Sequence, residues 1–157
     1  MHFIRKPFKE IDNTTLYSIL KLRSDVFVVE QDCVYPDLDN KDTLPDSIHV
    51  YSVTVPETDE AHLAAYARCL APGVSYQGCS IGRVVVSPHD RGKGLATELM
   101  TEAITVCRTH WPSSPIQIGA QLYLEAFYAS LGFRTFSEPY DEDGIMHVDM
   151  QLVVEAQ

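Results

Sequence analysis

The chain reads as an α+β domain built on a mixed sheet, and three observations predict this. Segments of strand character dominate residues 48–70. A strand, a glycine loop and an amphipathic helix follow one another across residues 79–108. The chain then closes on apolar Met146, Val148, Met150, Leu152 and Val154 alternating with His147, Asp149 and Gln151, the period of a half-buried strand. With 157 residues, 45% hydrophobic and 22% charged, the length and balance suit a single globular domain over 1–157.

Residues 2–8 suit a first strand. Asn13-Thr14-Thr15 offers a helix N-cap, and Leu16, Ile19, Leu20, Leu22, Val26 and Phe27 then fall near helical spacing, so one or two helices cover about 14–31. Residues 32–46 are polar and acidic, a loop. Segments 48–55 and 62–70 read as strands, with a turn over 56–60. Pro72-Gly73 ends the second, and 79–86 forms the next. Leu95, Leu99, Met100, Ala103, Ile104, Val106 and Cys107 make one face of a helix over about 93–108. Residues 112–115 break the chain before a short strand at 116–118. Leu124, Phe127 and Leu131 share a helical face that Gly132 stops, and strands at 133–137 and 146–154 complete the sheet.

Composition excludes several functions. A formal net charge of −10 argues against nucleic acid or an anionic membrane as partner, because both need a basic face. It is compatible with a cationic substrate, and equally with a merely soluble surface. No apolar stretch approaches a membrane span, and the start carries no apolar signal segment, so the expected location is the cytoplasm. Cys33, Cys69, Cys79 and Cys107 include no C-x-x-C pair and lie near no histidine pair, so zinc and other metals are not expected. The acids Asp37, Asp39 and Asp42 miss the calcium-loop pattern. They read as a solvated loop that could border a cationic acceptor.

The most informative stretch is 81–100. Val84-Val85-Val86 breaks at Ser87-Pro88, and a loop through Arg91-Gly92-Lys93-Gly94 runs into the helix. Glycines let backbone approach a ligand, and the unpaired N–H groups of a first helical turn favour a pyrophosphate. The spacing is not that of a P-loop. As a dinucleotide fingerprint it lacks the third glycine, since Thr97 stands there. What matches is Arg91-x-x-Gly94-x-Ala96 after a strand, which resembles the acetyl-CoA motif of the GNAT superfamily of N-acetyltransferases. Phe127-Tyr128-Ala129-Ser130-Leu131-Gly132-Phe133 resembles that superfamily's F-Y-x-x-x-G-F helix end. Residues 22–31 and 140–147 are similar to its ElaA-like branch, so the resemblance covers nearly the whole chain.

The resemblance implies a mostly antiparallel sheet, flanked by helices, whose central parallel pair splays. It implies transfer of acetyl from acetyl-CoA directly to an amine of a small molecule or peptide, without a metal. Arg91, Gly92, Lys93, Gly94, Leu95 and Ala96 would hold the pyrophosphate, chiefly through backbone N–H groups. Lys93 reads equally as a solvated surface lysine. Val84, Val85 and Val86 would pair with the pantetheine arm, with a backbone N–H at Val84 or Val85 on the thioester oxygen, though all three serve equally as core. Gln121 stands where many relatives carry Asn, before the last helix, which leaves its part in fixing the pantetheine or helix start open.

Tyr128 lies one residue off the apolar stripe and is the candidate acid for the leaving thiolate, since a phenol is neutral at pH 7. Its alternative is a packing tyrosine. Glu30 is the first candidate base, Glu142, Asp143 and His147 the second, with loss of the proton to water beside them. The cysteines have no base nearby, so a covalent enzyme intermediate lacks a nucleophile. The rival reading is a non-catalytic CoA or acyl-CoA sensor or interaction module. A monomer and a homodimer both remain open, because an alternating C-terminal strand could pair at a sheet edge.

Overall fold

The computed structural model describes residues 2–54 and 61–154. Its strands are β1 (Phe3–Pro7), β2 (Ile48–Thr54), β3 (His62–Leu70), β4 (Cys79–Val86), β5 (Ile116–Gln121), β6 (Arg134–Thr135), β7 (Tyr140–Glu142) and β8 (Ile145–Leu152). They form one sheet in the order β1-β2-β3-β4-β5-β8-β6, with β7 also on β8. Every neighbouring pair is antiparallel except β4 with β5. The predicted 56–60 turn lies outside the described residues.

Helix α1 (Asn13–Arg23) starts one residue earlier than the Asn13–Thr15 cluster suggests. Asp12 is the N-cap: one carboxylate oxygen accepts from the Thr15 N–H and the other from its hydroxyl, each at 2.8 Å. Past Arg23 the helix widens into π-helical turns over Ser24–Glu30. There the Gln31 N–H donates to the Val26 carbonyl and the Cys33 N–H to the Val28 carbonyl, both at 3.0 Å, five residues apart rather than four. Ile19, Leu22 and Val26 of this unit pack on Tyr51, Tyr66 and Val85 at one face of the sheet.

Helix α2 (Leu95–His110) covers the other face. The predicted stripe holds: Leu95, Leu99, Met100, Ala103, Val106 and Cys107 are all buried there, and Ile104 is half-buried. Helix α3 (Glu125–Ser130) follows a single 3₁₀ turn at Leu122–Leu124. Gly132 stops it in the left-handed region at φ +102°, and the Phe133 N–H closes back on the Tyr128 carbonyl at 3.2 Å, the expected C-terminal cap.

Two expectations are corrected. The β7–β8 hairpin was absent from the predicted elements, although Asp143-Gly144 carries a two-residue hairpin signal. Both residues have positive φ, +53° and +85°, as a type I′ turn requires. Strand β8 is also not an edge. It lies between β5 on one side and β6 and β7 on the other, so its ladder is filled and the edge argument for a dimer fails.

Candidate active site

The site begins where β4 and β5 part. They pair in parallel only at Cys79↔Ile116 and Ser80↔Gln117. Beyond Ser80 the strands diverge around a cavity of about 740 Å³ lined by β4 from Ser80 to Val86, by Ile118, Gly119 and Gln121 of β5, and by Tyr128.

A β-bulge shapes the β4 wall. Tyr66 faces Val85 and Arg68 faces Gly82, so Arg83 and Val84 together oppose the single residue Ala67. Arg83 takes the left-handed conformation, φ +53°, where glycine is usual. Beyond the bulge the Ser87 N–H donates to Ala64 on β3 at 2.8 Å. Peptide groups alternate between the two edges of a strand, so Val85 also faces β3, while Val84 and Val86 face the cleft. Val85 is buried in the α1-side core; Val84 and Val86 are half-buried.

At the Val86 end the chain turns through Pro88–Asp90 into the glycine loop. Gly92 and Gly94 have φ of +80° and +76°, and a Cβ on either would meet nothing within 4 Å. Gly94 is the N-cap of α2, and the Glu98 N–H, 3.3 Å from the Gly94 carbonyl, is the first to enter the helix ladder. Lys93 is exposed, Leu95 is buried and Ala96 is half-buried. The loop is anchored by buried Asp90, whose Oδ2 lies 2.8 Å from His62 Nε2.

Arg91 does not lie along the cradle. Its two terminal nitrogens grip Glu30 at 2.7 and 3.2 Å, and its Nε donates to the cleft-facing Val86 carbonyl at 3.3 Å. Glu30 therefore sits beside the glycine loop with both oxygens engaged. Gln121 spans the cleft mouth and donates to Gln31 Oε1 at 3.2 Å.

Tyr128 is buried against Phe127 and Phe133, with ring centroids at 5.1 and 6.1 Å. Its hydroxyl hydrogen-bonds to no described residue, although the side chain lines the cavity. Burial pushes the phenol up to about 12.

The acidic loop differs most from expectation. Asp37 and Asp42 are buried, and Asp39 is paired. Arg23, fully buried, donates to Asp37 Oδ2 at 3.0 Å and Asp42 Oδ1 at 2.7 Å. Arg68 grips both oxygens of Asp39 at 2.8 Å and reaches Asp42 at 3.0 Å. Arg83 adds Asp39 at 3.3 Å and the Asp37 carbonyl at 3.0 Å. These carboxylates are neutralised inside the protein, so they do not form an acidic border for a cation. Burial alone would raise Asp39, but the hydrogen bonds and charge of Arg68 hold it well below the carboxylate range. Sequence reasoning missed the three arginines. The available signal was a charge within apolar patterns: Arg23 beside Leu22 and Arg68 in Ala65-Tyr66-Ala67-Arg68-Cys69, since buried charges need partners.

Three further placements complete the site. Glu142 lies 3.5 Å from His147 in the β7–β8 hairpin. Asp149 Oδ1 accepts from both Tyr76 and Tyr140 hydroxyls at 2.7 Å. All four cysteines are buried free thiols. Cys79 is raised by hydrogen bonding with Cys107 and then by burial, away from any reactive thiolate.

The arrangement has known counterparts. The family model for the GNAT acetyltransferase domain matches residues 49–154. Protein ElaA of Escherichia coli K12 is 42% identical over 141 residues, covering 90% of this chain and 89% of that protein. The crystal structure of Escherichia coli ElaA superposes with a TM-score of 0.85 at 38% identity, over 96% and 98% of the two chains. An acyl-CoA N-acyltransferase from Pseudomonas aeruginosa gives 0.87 at 35% identity, over 97% and 99%. By sequence and by fold together, the chain belongs to the GNAT acetyltransferase family.

Proposed function

We propose that the protein is an acetyl-CoA-dependent N-acetyltransferase that passes acetyl directly to an amine. The observation that carries this reading is the Tyr128 hydroxyl. It lies on the wall of the splayed cleft, without a hydrogen-bond partner among the described residues, as a proton donor awaiting a substrate would. Gly92 and Gly94 support the cofactor, because the space their missing side chains leave lies against free helix N–H groups that suit a pyrophosphate. Acetyl-CoA supplies the thioester.

The chain's own groups then divide the work. The backbone from Gly92 to Ala96 holds the phosphates, with Arg91 joining once it leaves Glu30. The cleft-facing Val84 and Val86 peptides pair with the pantetheine amides, and the Val84 N–H polarises the thioester carbonyl. Gln121 steers the arm at the mouth. As the amine nitrogen replaces sulfur on the acyl carbon, Tyr128 protonates the departing thiolate. A phenol pushed up to about 12 is fully protonated at neutral pH. Glu30 lies beside Arg91 at the glycine-loop end of the cleft, so the amine loses its proton to water at the open acceptor end. Four buried free thiols support direct transfer and fit a reducing cytoplasm.

Tyr128→Phe tests the assignment. Thiol release from acetyl-CoA in the presence of an amine panel should fall by about 10²- to 10⁴-fold, the usual worth of a positioned acid. The dissociation constant for acetyl-CoA should change little. Normal turnover in this variant would make Tyr128 a packing residue. Firm acetyl-CoA binding with no thiol release from the unaltered protein would point to a CoA-binding module instead.

A further inference from the structure

The charge pattern within the cleft bears on the acceptor, and the argument rests on the acyltransferase reading. Strand β4 gives the cleft its direction. Val86 stands at the phosphate-loop end. Ser80 lies six residues away, about 20 Å along a strand, with the bulge between. The acceptor end is therefore the part lined by Lys41, Arg68, Ser75 and Tyr76. Arg68 faces Gly82 across the β3–β4 ladder, beyond the bulge as seen from the phosphates.

Three cations converge there. Arg68 and Arg83 both reach Asp39, at 2.8 and 3.3 Å. The Lys41 backbone N–H also donates to Asp39, at 3.1 Å. The three acids Asp37, Asp39 and Asp42 are matched by Arg23, Arg68 and Arg83, and Lys41 is left over. Lys41 is half-buried as a residue, but its ammonium meets the Ser75 hydroxyl at 2.8 Å in an exposed contact and meets no carboxylate of the described residues. The arginines keep spare donors too. Arg68 Nε is buried without a hydrogen-bond partner. Arg83 Nε lies 2.8 Å from Asp37 Oδ1 but does not direct its N–H at it. Locally the cations Arg23, Arg68, Arg83 and Lys41 outnumber the acids Asp37, Asp39 and Asp42 by one, while the cavity lining as a whole balances, with Lys41, Arg68, Arg83 and Arg91 against Glu30, Asp39, Glu142 and Asp143. Asp143, on the β7–β8 side of the same cavity, has no cationic partner among the described residues and suits an incoming ammonium.

We infer that the acceptor is an amine that carries an anionic group of its own, a carboxylate or a phosphate, seated on Lys41 with Arg68 and Arg83 behind it. The test compares matched amines by thiol release: L-phenylalanine with phenylethylamine, phosphoethanolamine with ethanolamine, and spermidine as a polycation. The anionic member of at least one pair should show a kcat/KM at least about tenfold above its partner, and the responding pair separates carboxylate from phosphate. Lys41→Met should raise KM for that acceptor by about 10- to 100-fold, the worth of a hydrogen bond to a charged group. kcat and the KM for acetyl-CoA should stay within about twofold, and Lys41→Arg should recover most of the loss. Preference for spermidine or for the partners that lack the anionic group, or an equal effect of Lys41→Met on both members of a pair, overturns the inference. If no amine releases thiol, the same pairs are compared as thermal-shift ligands of the CoA-loaded protein. Stabilisation by the anionic member that Lys41→Met abolishes upholds the anion site and removes only the transferase reading. Absence of that stabilisation overturns the inference.

Discussion

Arg83 holds a backbone conformation, φ +53°, that glycine would adopt without steric penalty, and its guanidinium is tied to Asp37 and Asp39. Strain and tether can be separated by two substitutions. Arg83→Ala loses the ties and keeps a Cβ in the left-handed region. Arg83→Gly loses the same ties but relieves the backbone. Alanine should therefore be less stable than glycine by roughly 1–2 kcal/mol in urea unfolding, the penalty of that region for a residue with a Cβ. Equal midpoints would show that the bulge relaxes once the side chain is gone. At this scale the sequence announced placement where a residue sat within a motif: Tyr128 lines the cleft and Gly94 caps α2. It misled where partners came from afar: Asp37 finds Arg23 fourteen residues earlier and Arg83 forty-six later. Local polarity made residues 32–46 look solvated, because nothing local reports an ion pair closed across the sheet.

Among the elements, the long periodic ones were readable: the α2 stripe, the β2 and β3 pair and the Gly132 cap followed from spacing. The π-helical turns at Ser24–Glu30 were not, because a change from four-residue to five-residue hydrogen bonding leaves no mark on a short apolar pattern. They matter to the site, since Glu30 meets Arg91 and Gln31 meets Gln121 there. The splay of β4 from β5 was expected only from resemblance, because it is an absence of pairing beyond Ser80. The junction of the glycine loop with α2 gives an element-level test. Gly94 is open to space but held at φ +76°, so Gly94→Val should lower stability by only about 1–2 kcal/mol. A branched side chain would nevertheless stand where the phosphates are proposed to lie. Acetyl-CoA at a hundredfold excess over its dissociation constant should stabilise the unaltered protein by about 2.7 kcal/mol. In Gly94→Val that thermal shift should vanish. A retained shift would place the pyrophosphate elsewhere.

Across the whole molecule, buried titratable groups set a pH window for folding. His49 is buried between Tyr66 and the Asp42 carbonyl, at 2.7 and 3.0 Å. The carbonyl can only accept, so Nε2 carries the proton and Nδ1 accepts from the phenol. Burial holds this imidazole below its ordinary 6.5. As pH falls through that value the unfolded chain takes up a proton that the folded chain refuses, and stability drops. A second acid limb begins near 3.8, where Asp39 and Asp42 resist protonation. Burial alone would raise both, but Arg68 on Asp39 and Arg23 on Asp42 outweigh it. The alkaline side has the opposite sign. Burial raises Tyr35, Tyr66, Tyr76, Tyr128 and Tyr140 above the ordinary 10.0. From about pH 10 upward the unfolded chain releases protons that the folded chain retains, so stability falls again. Cys79 and Cys107, both raised above the ordinary thiol value of 9.0, begin the alkaline fall before the phenols, so the urea midpoint should be highest between about pH 7 and 8.5 and lower at both pH 5 and pH 11. Each group that differs by one full proton contributes a slope of about 1.4 kcal/mol per pH unit. Several phenols titrate together, so the alkaline limb should be the steeper. His49→Gln should flatten the limb just below pH 6.5 while leaving the alkaline one unchanged. A midpoint at pH 5 equal to that at pH 8 would mean that His49 takes its proton without leaving the fold, and that the contacts to Tyr66 and Asp42 yield before the core does.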